Sequence, residues 1–103
     1  MSRIVVTATL KAKPGKGDEL ADLLGGLVDA VADEDGTEQF VIHRVADDPD
    51  TVFFYEVYRD QDALDVHRKN PALGAGGAAL GELLDGRPVL TMLTPVKAKN
   101  LKI

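Results

Sequence analysis

A chain of 103 residues with 45% hydrophobic and 28% charged residues is long enough to bury one core and too short for two. Its net charge of −5, with basic residues that form no single stripe, argues against general nucleic-acid binding. The absence of cysteine excludes disulfides, thiolate metal sites and cysteine nucleophiles, and fits a reducing compartment.

The opening stretch, MSRIVVTATLKAKPG, carries one basic residue before a short apolar run broken by Thr7 and Thr9. It lacks the length of a signal-peptide core or a membrane span. One domain over residues 1–103 is expected, cytoplasmic and without nucleic-acid or membrane partners. From Arg3 to Ala12 apolar residues alternate, with Ile4, Val6, Ala8 and Leu10 on one side, which predicts a half-buried strand. Pro14-Gly15 breaks it. From Asp18 onward Leu20, Leu23, Leu24, Leu27, Val28 and Val31 recur at steps of three and four, the stripe of an amphipathic helix that should stop before Gly36. A second strand is expected over Thr37–Ala46 and a third over Thr51–Arg59, joined by a turn at Asp47-Asp48-Pro49-Asp50.

Asp60 is a good N-cap for a short helix over Gln61–Lys69, which should end before Pro71. A further helical piece over Leu73–Leu84 is diluted by Gly74, Gly76, Gly77 and Gly81, each interior glycine costing roughly 0.5–1 kcal/mol relative to alanine. The last strand is expected from Arg87 to about Val96, followed by a tail whose lysines, Lys97, Lys99 and Lys102, read as a solvated end. The order βαββαβ defines an α+β, ferredoxin-like arrangement, an antiparallel sheet with helices on one face.

Both faces of that sheet read as apolar. In the third strand Phe54 lies on one side and Phe53, Tyr55 and Val57 on the other; in the second, Phe40 and Ile42 oppose Val41 and Val45. A face without helices then needs a cover, and a homodimer packed sheet to sheet supplies it, with Leu101 and Ile103 of the tail anchoring on the partner.

Chemistry concentrates in the run Val52–His67, VFFYEVYRDQDALDVH. Glu56 stands in an apolar strand, where a carboxylate is costly unless paired, hydrogen-bonded or protonated; a structural ion pair and a functional group explain it equally well. A lone histidine such as His67 is more often a packed or surface residue than a catalyst, but a carboxylate on the neighbouring strand can fix its tautomer or raise its basicity. Phe54, Glu56 and Tyr58 share one strand face and should line a cleft with His67 at its rim. His43 reads as a solvated strand-end residue. Two histidines without ligand spacing point to no metal, and no phosphate loop, dinucleotide fingerprint or nucleophile elbow is present.

Lys13-Pro14-Gly15-Lys16 before an amphipathic helix, Asp48-Pro49, and the block FYEVYRDQDALDVHRKNP together resemble the antibiotic biosynthesis monooxygenase (ABM) family over nearly the whole chain. The resemblance implies a dimeric ferredoxin-like α/β barrel with a pocket between sheet and helices in each subunit. It also implies oxidation of a small aromatic or quinol-like substrate by molecular oxygen, with neither flavin nor metal as cofactor. His67 would be the acid/base and Glu56 its orienting partner; Phe54, Tyr58, Phe40 and Asn70 would contact substrate. Related chains degrade haem with a histidine, a tryptophan and an asparagine. Here Tyr58 stands nearest the tryptophan's place, and Thr7 and Ala8 stand where the asparagine would be, which argues against haem chemistry. An isomerase of the family, acting on a phosphorylated autoinducer-2 product, has a similar strand-helix block; in that reading Arg44, Arg59 or Lys69 would hold the phosphate. A small-ligand-binding dimer without catalysis is the third reading, favoured if Glu56 and His67 point apart into solvent.

Overall fold

The structure is a computed structural model that describes residues 3–74 and 76–103. The alternating segment at the start forms β1 (Ile4–Lys11), and the leucine stripe forms α1 (Gly17–Ala30). A hairpin of β2 (Thr37–Val45) and β3 (Asp48–Tyr58) follows, then α2 (Gln61–Arg68), a 3₁₀ turn (Pro71–Gly74), α3 (Gly77–Leu83) and β4 (Val89–Leu93). The four strands make one sheet in the order β2-β3-β1-β4, with every neighbouring pair antiparallel. This is the ferredoxin-like α+β fold expected from the sequence.

Register decides what reaches the helices. Val6 lies opposite Glu56 and Met92, Ala8 opposite Phe54 and Leu90, and Phe40 opposite Glu56. Because side chains alternate across a strand, these residues and Tyr58 share the helix-covered face. Ala8, Leu10, Val52 and Phe54 pack there against Leu20 and Leu24 of α1, while Val6 and Tyr58 pack with Ala63 and Leu64 of α2. Leu20, at 0% exposure, is the sort of side chain whose burial stabilises by about 1.5–3 kcal/mol.

Four element boundaries differ from expectation, each for a local reason. Asp48-Pro49-Asp50 belongs to β3, and the hairpin turns at Ala46-Asp47; an irregularity in register between Arg44 and Val45 pushes Pro49 and Asp50 outward. There the Asp50 carboxylate accepts the backbone N–H of Gly15 at 3.1 Å and of Gly17 at 3.0 Å, so it caps α1, whose own N-cap residue, Lys16, makes no side-chain cap. The approach is close enough that a Cβ on Gly17 would overlap the Pro49 carbonyl. α1 stops at Ala30 rather than near Gly36, because the acidic run Asp33-Glu34-Asp35 opposes the negative end of a helix; turns replace it, with Glu34 N–H on Val31 O at 3.0 Å and Thr37 N–H on Glu34 O at 3.1 Å. The glycine-rich piece expected at Leu73–Leu84 divides into the 3₁₀ turn and α3, and Ala75 of that piece lies outside the described residues. β4 is bracketed by Pro88 and Pro95 and is shorter than expected, since proline cannot donate to a ladder.

On the outer face the tail folds back over its own sheet, where Pro95, Ala98 and Leu101 enclose a space with Val5 and Tyr55. Leu101 is half-buried there, and Val5 is 4% exposed. Val41, Val89 and Leu93 on that face stay exposed. No helix among the described residues is long and apolar enough to cross a membrane.

Candidate active site

Between the sheet and the helices lies a cavity of about 580 Å³. Val6, Ala8 and Leu10 form its floor with Phe40 and Phe54; Leu24, Leu27, Leu64, Leu73 and Leu80 form its helical wall; Leu90 and Met92 flank the side along the edge strand β4. Those two are 67% and 52% exposed, so the cavity opens beside β4. Its polar lining is confined to Glu56, His67 and Arg68. A smaller cavity of about 190 Å³ lies between α1 and the 3₁₀–α3 segment, and Leu24, Leu27, Leu73 and Leu80 border both spaces.

His67 reaches the site because α2 starts where it does. Asp60 Oδ1 accepts the Ala63 N–H at 2.9 Å, which sets the first turn, and Ala63, Leu64 and His67 then share the buried side of the helix. The imidazole sits between aromatic rings, 5.7 Å from Phe40 and 5.0 Å from Tyr58 by centroids. Phe40 in turn meets Phe54 edge to face at 5.5 Å.

Two carboxylates flank the ring. Nδ1 lies 2.9 Å from Glu34 Oε1, while Nε2 lies 3.7 Å from Glu56 Oε1. Glu34 comes from the turn after α1 and also accepts from Thr37 Oγ1 at 2.7 Å and Asn70 Nδ2 at 2.6 Å. Glu56 Oε1 accepts the Tyr58 hydroxyl. Burial pushes the Glu34 carboxyl up, yet the hydrogen bonds from Asn70, Thr37 and His67 outweigh it and hold the group below the usual carboxylate range. Burial raises Glu56, which the Tyr58 hydroxyl and His67 only partly offset. Burial, reinforced by the bond to Glu56, also pushes Tyr58 far up, so it stays a phenol and a donor. Carboxylates whose environments drive them in opposite directions are suited to different tasks, one as a fixed anion and one as an exchangeable proton site.

Of the residues expected at the site, His67, Glu56, Phe54 and Phe40 converge on the cavity. Tyr58 is fully buried behind Glu56 and Asn70 is turned to Glu34 and to Ala30 O at 2.9 Å; neither lines the cavity, because their polar atoms are taken up by these partners. The carboxylate within hydrogen-bond range of the imidazole is Glu34 rather than Glu56. Sequence reading passed over Glu34 because it lies inside an acidic run that reads as solvated surface; its spacing from His67 carries no signal. Glu56 and His67 face each other, not apart into solvent. Arg44 bonds Asp18 at 3.0 Å and the Pro49 carbonyl, Arg59 lies beside Asp60, and neither lines the cavity; the cation that does is Arg68.

A ferredoxin-like sheet whose helical face encloses an apolar cavity with an imidazole and carboxylates at one end defines a class of small pocket-bearing α+β proteins. Residues 3–79 match the sequence profile of "Antibiotic biosynthesis monooxygenase", and the chain belongs to that ABM family. It is 33% identical over 95 residues, covering 92% of this chain and 93% of the other, to "Putative monooxygenase Rv0793" of Mycobacterium tuberculosis. The crystal structure of Rv0793 superposes with a TM-score of 0.83 at 30% identity, covering 94% of this chain and 98% of that one. A "putative antibiotic biosynthesis monooxygenase" from Caulobacter crescentus superposes with a TM-score of 0.84 at 32% identity, covering 93% and 92%. Family and relatives support a general monooxygenase-type function.

Proposed function

We propose that this protein is a cofactor-independent monooxygenase that oxidises a small aromatic or quinol-like molecule with molecular oxygen. The observation that carries the reading is the placement of His67 and Glu56 together at the polar end of an otherwise apolar cavity of about 580 Å³, a volume suited to a small polycyclic or substituted aromatic ligand. His67 removes a proton from the electron-rich hydroxylated substrate, and the apolar walls keep water from the resulting carbanion-like anion while oxygen reacts. For a substrate carrying a reactive ring methylene, one oxygen atom becomes the new carbonyl and the other leaves as water, all electrons coming from the substrate. Glu56 hydrogen-bonds the anion or returns a proton, a role suited to a carboxyl raised by burial. Phe40 and Phe54, meeting edge to face, stack on the ring.

The test is oxygen uptake with a panel of hydroquinones, anthrones and related phenols. A turned-over substrate should lose at least a hundredfold in kcat with His67→Ala, the usual scale of general-base catalysis; uptake by that variant at the wild-type rate refutes the assignment. The functional unit is a homodimer joined through the outer sheet face, where Val41, Val89 and Leu93 remain exposed. Light scattering at micromolar concentration should give twice the monomer mass, and a Val41→Asp, Leu93→Asp variant the monomer mass; a monomeric wild type overturns this part.

A further inference from the structure

We propose that Glu34 is a positioning residue for His67: it receives the Nδ1 proton of the imidazole and thereby leaves Nε2 unprotonated and turned toward the cavity. The inference follows from which groups around Glu34 can donate. Asn70 Nδ2 lies between two acceptors, Ala30 O at 2.9 Å and Glu34 Oε2 at 2.6 Å, while its Oδ1 accepts the Ala72 N–H at 3.0 Å. Both ends of that amide are fixed by backbone groups, so its nitrogen must face Glu34. Thr37 Oγ1 donates to Glu34 Oε1 at 2.7 Å. An ionised carboxylate only accepts, and with Oε2 held by Asn70 and Oε1 shared by Thr37, the ring nitrogen 2.9 Å from Oε1 has to be the third donor.

A neutral imidazole carries one ring proton, so Nδ1–H leaves Nε2 as a bare lone pair. The ordinary preference of a free histidine is the opposite tautomer, whose Nε2–H could not act as a base. Nε2 has Glu56 Oε1 at 3.7 Å, outside hydrogen-bond range, and no buried side-chain nitrogen or oxygen among the described residues lacks a partner; Nε2 is therefore open to the cavity rather than sealed in protein. When it takes a proton, the imidazolium lies between Glu34 and Glu56. The hydrogen bonds that hold Glu34 below the usual carboxylate range keep it an anion throughout the range where a neutral imidazole exists.

The catalytic value of this arrangement rests on the reading of His67 as the base, but the tautomer does not, and nitrogen NMR of protein carrying ¹⁵N-labelled histidine measures it without substrate. The chain has two histidines; the signals lost in His67→Ala assign them, and free histidine in the same buffer is the reference for the ordinary tautomer. In wild type the spectrum should show His67 with a protonated Nδ1 and a pyridine-like Nε2. In Glu34→Gln the fixed Asn70 nitrogen demands an acceptor at the Oε2 place, so the carboxamide oxygen goes there and its NH₂ faces Nδ1. The imidazole must then carry its proton on Nε2, a reversal of the tautomer ratio by about tenfold or more, the scale of one charge-assisted hydrogen bond. A wild-type His67 protonated on Nε2, or a Glu34→Gln spectrum with the wild-type pattern, overturns the proposal; the wild-type measurement stands even if the variant fails to fold. With a turned-over phenol in hand, Glu34→Gln should lose kcat with little change in KM. If His67→Ala instead keeps full activity while the spectra are as expected, the base assignment falls and the positioning stands.

Discussion

Removing a single buried oxygen, by Tyr58→Phe, separates the Glu56–Tyr58 bond from everything around it. Tyr58 is 0% exposed and its hydroxyl donates to Glu56 Oε1, so the substitution leaves the ring packing intact and deletes one donor from a carboxyl that burial has already raised. With Glu56 protonated the loss is that of a neutral hydrogen bond, about 1 kcal/mol; with Glu56 ionised it is that of a charge-assisted one, about 1.5–3 kcal/mol. The cost should therefore grow as pH rises through the titration of Glu56. Urea unfolding followed by far-UV circular dichroism at fixed protein concentration suits this chain, which has no tryptophan. The midpoint should fall by roughly 1 M urea at pH about 8 and by less at pH about 4. In a Glu56→Gln background the cost of Tyr58→Phe should shrink to the neutral value and lose its pH dependence. Equal destabilisation at both pH values, or additivity in the double variant, would refute the coupling.

Glu56 and Glu34 pull stability in opposite directions with pH. The raised Glu56 favours the folded state below its unfolded pKa near 4.5 and loses that advantage as pH rises through its folded value, so Glu56→Gln should gain on wild type in thermal melts as pH increases. The lowered Glu34 stabilises above its unfolded pKa and ceases to as pH falls through its folded value, so Glu34→Gln should flatten the acid limb of a stability profile. Asp50→Ala removes the cap that the β2–β3 hairpin provides for α1 and should cost about 1 kcal/mol in urea unfolding. Gly36→Ala would drive a Cβ into Ala63 at the start of α2; the overpacking should cost about 1–3 kcal/mol and shift the His67 ring resonances, whereas Gly25→Ala, with open space at its Cβ, should change neither.

Strand alternation makes most of the fold legible in the sequence. Period alone sets Phe54, Glu56 and Tyr58 on one strand face, and register with Val6, Ala8 and Phe40 makes it the face the helices cover. The partners of His67 were harder to read. Glu56 is visible because a carboxylate is anomalous in an apolar strand. Glu34 is not, because acidic residues after a helix are ordinary surface, and only the early end of α1 turns this one inward. Leu101 announces an apolar anchor, and the fold sets it half-buried beside Val5 and Tyr55. Asp50 has the composition of a turn residue, and its role as a cap depends on the register irregularity that brings it to α1.

Four leucines, Leu24, Leu27, Leu73 and Leu80, stand as a thin partition between the two cavities. Nothing on that partition carries a proton, and nothing in the Glu34–His67–Glu56–Tyr58 array touches its far side. Capacity and reactivity are thus governed by separate parts of the chain. Trimming a leucine there would join the two spaces and admit a longer molecule while the acid/base array stays as it is, so substitutions confined to α1 and the glycine-rich segment can retune which substrate fits without rebuilding the chemistry.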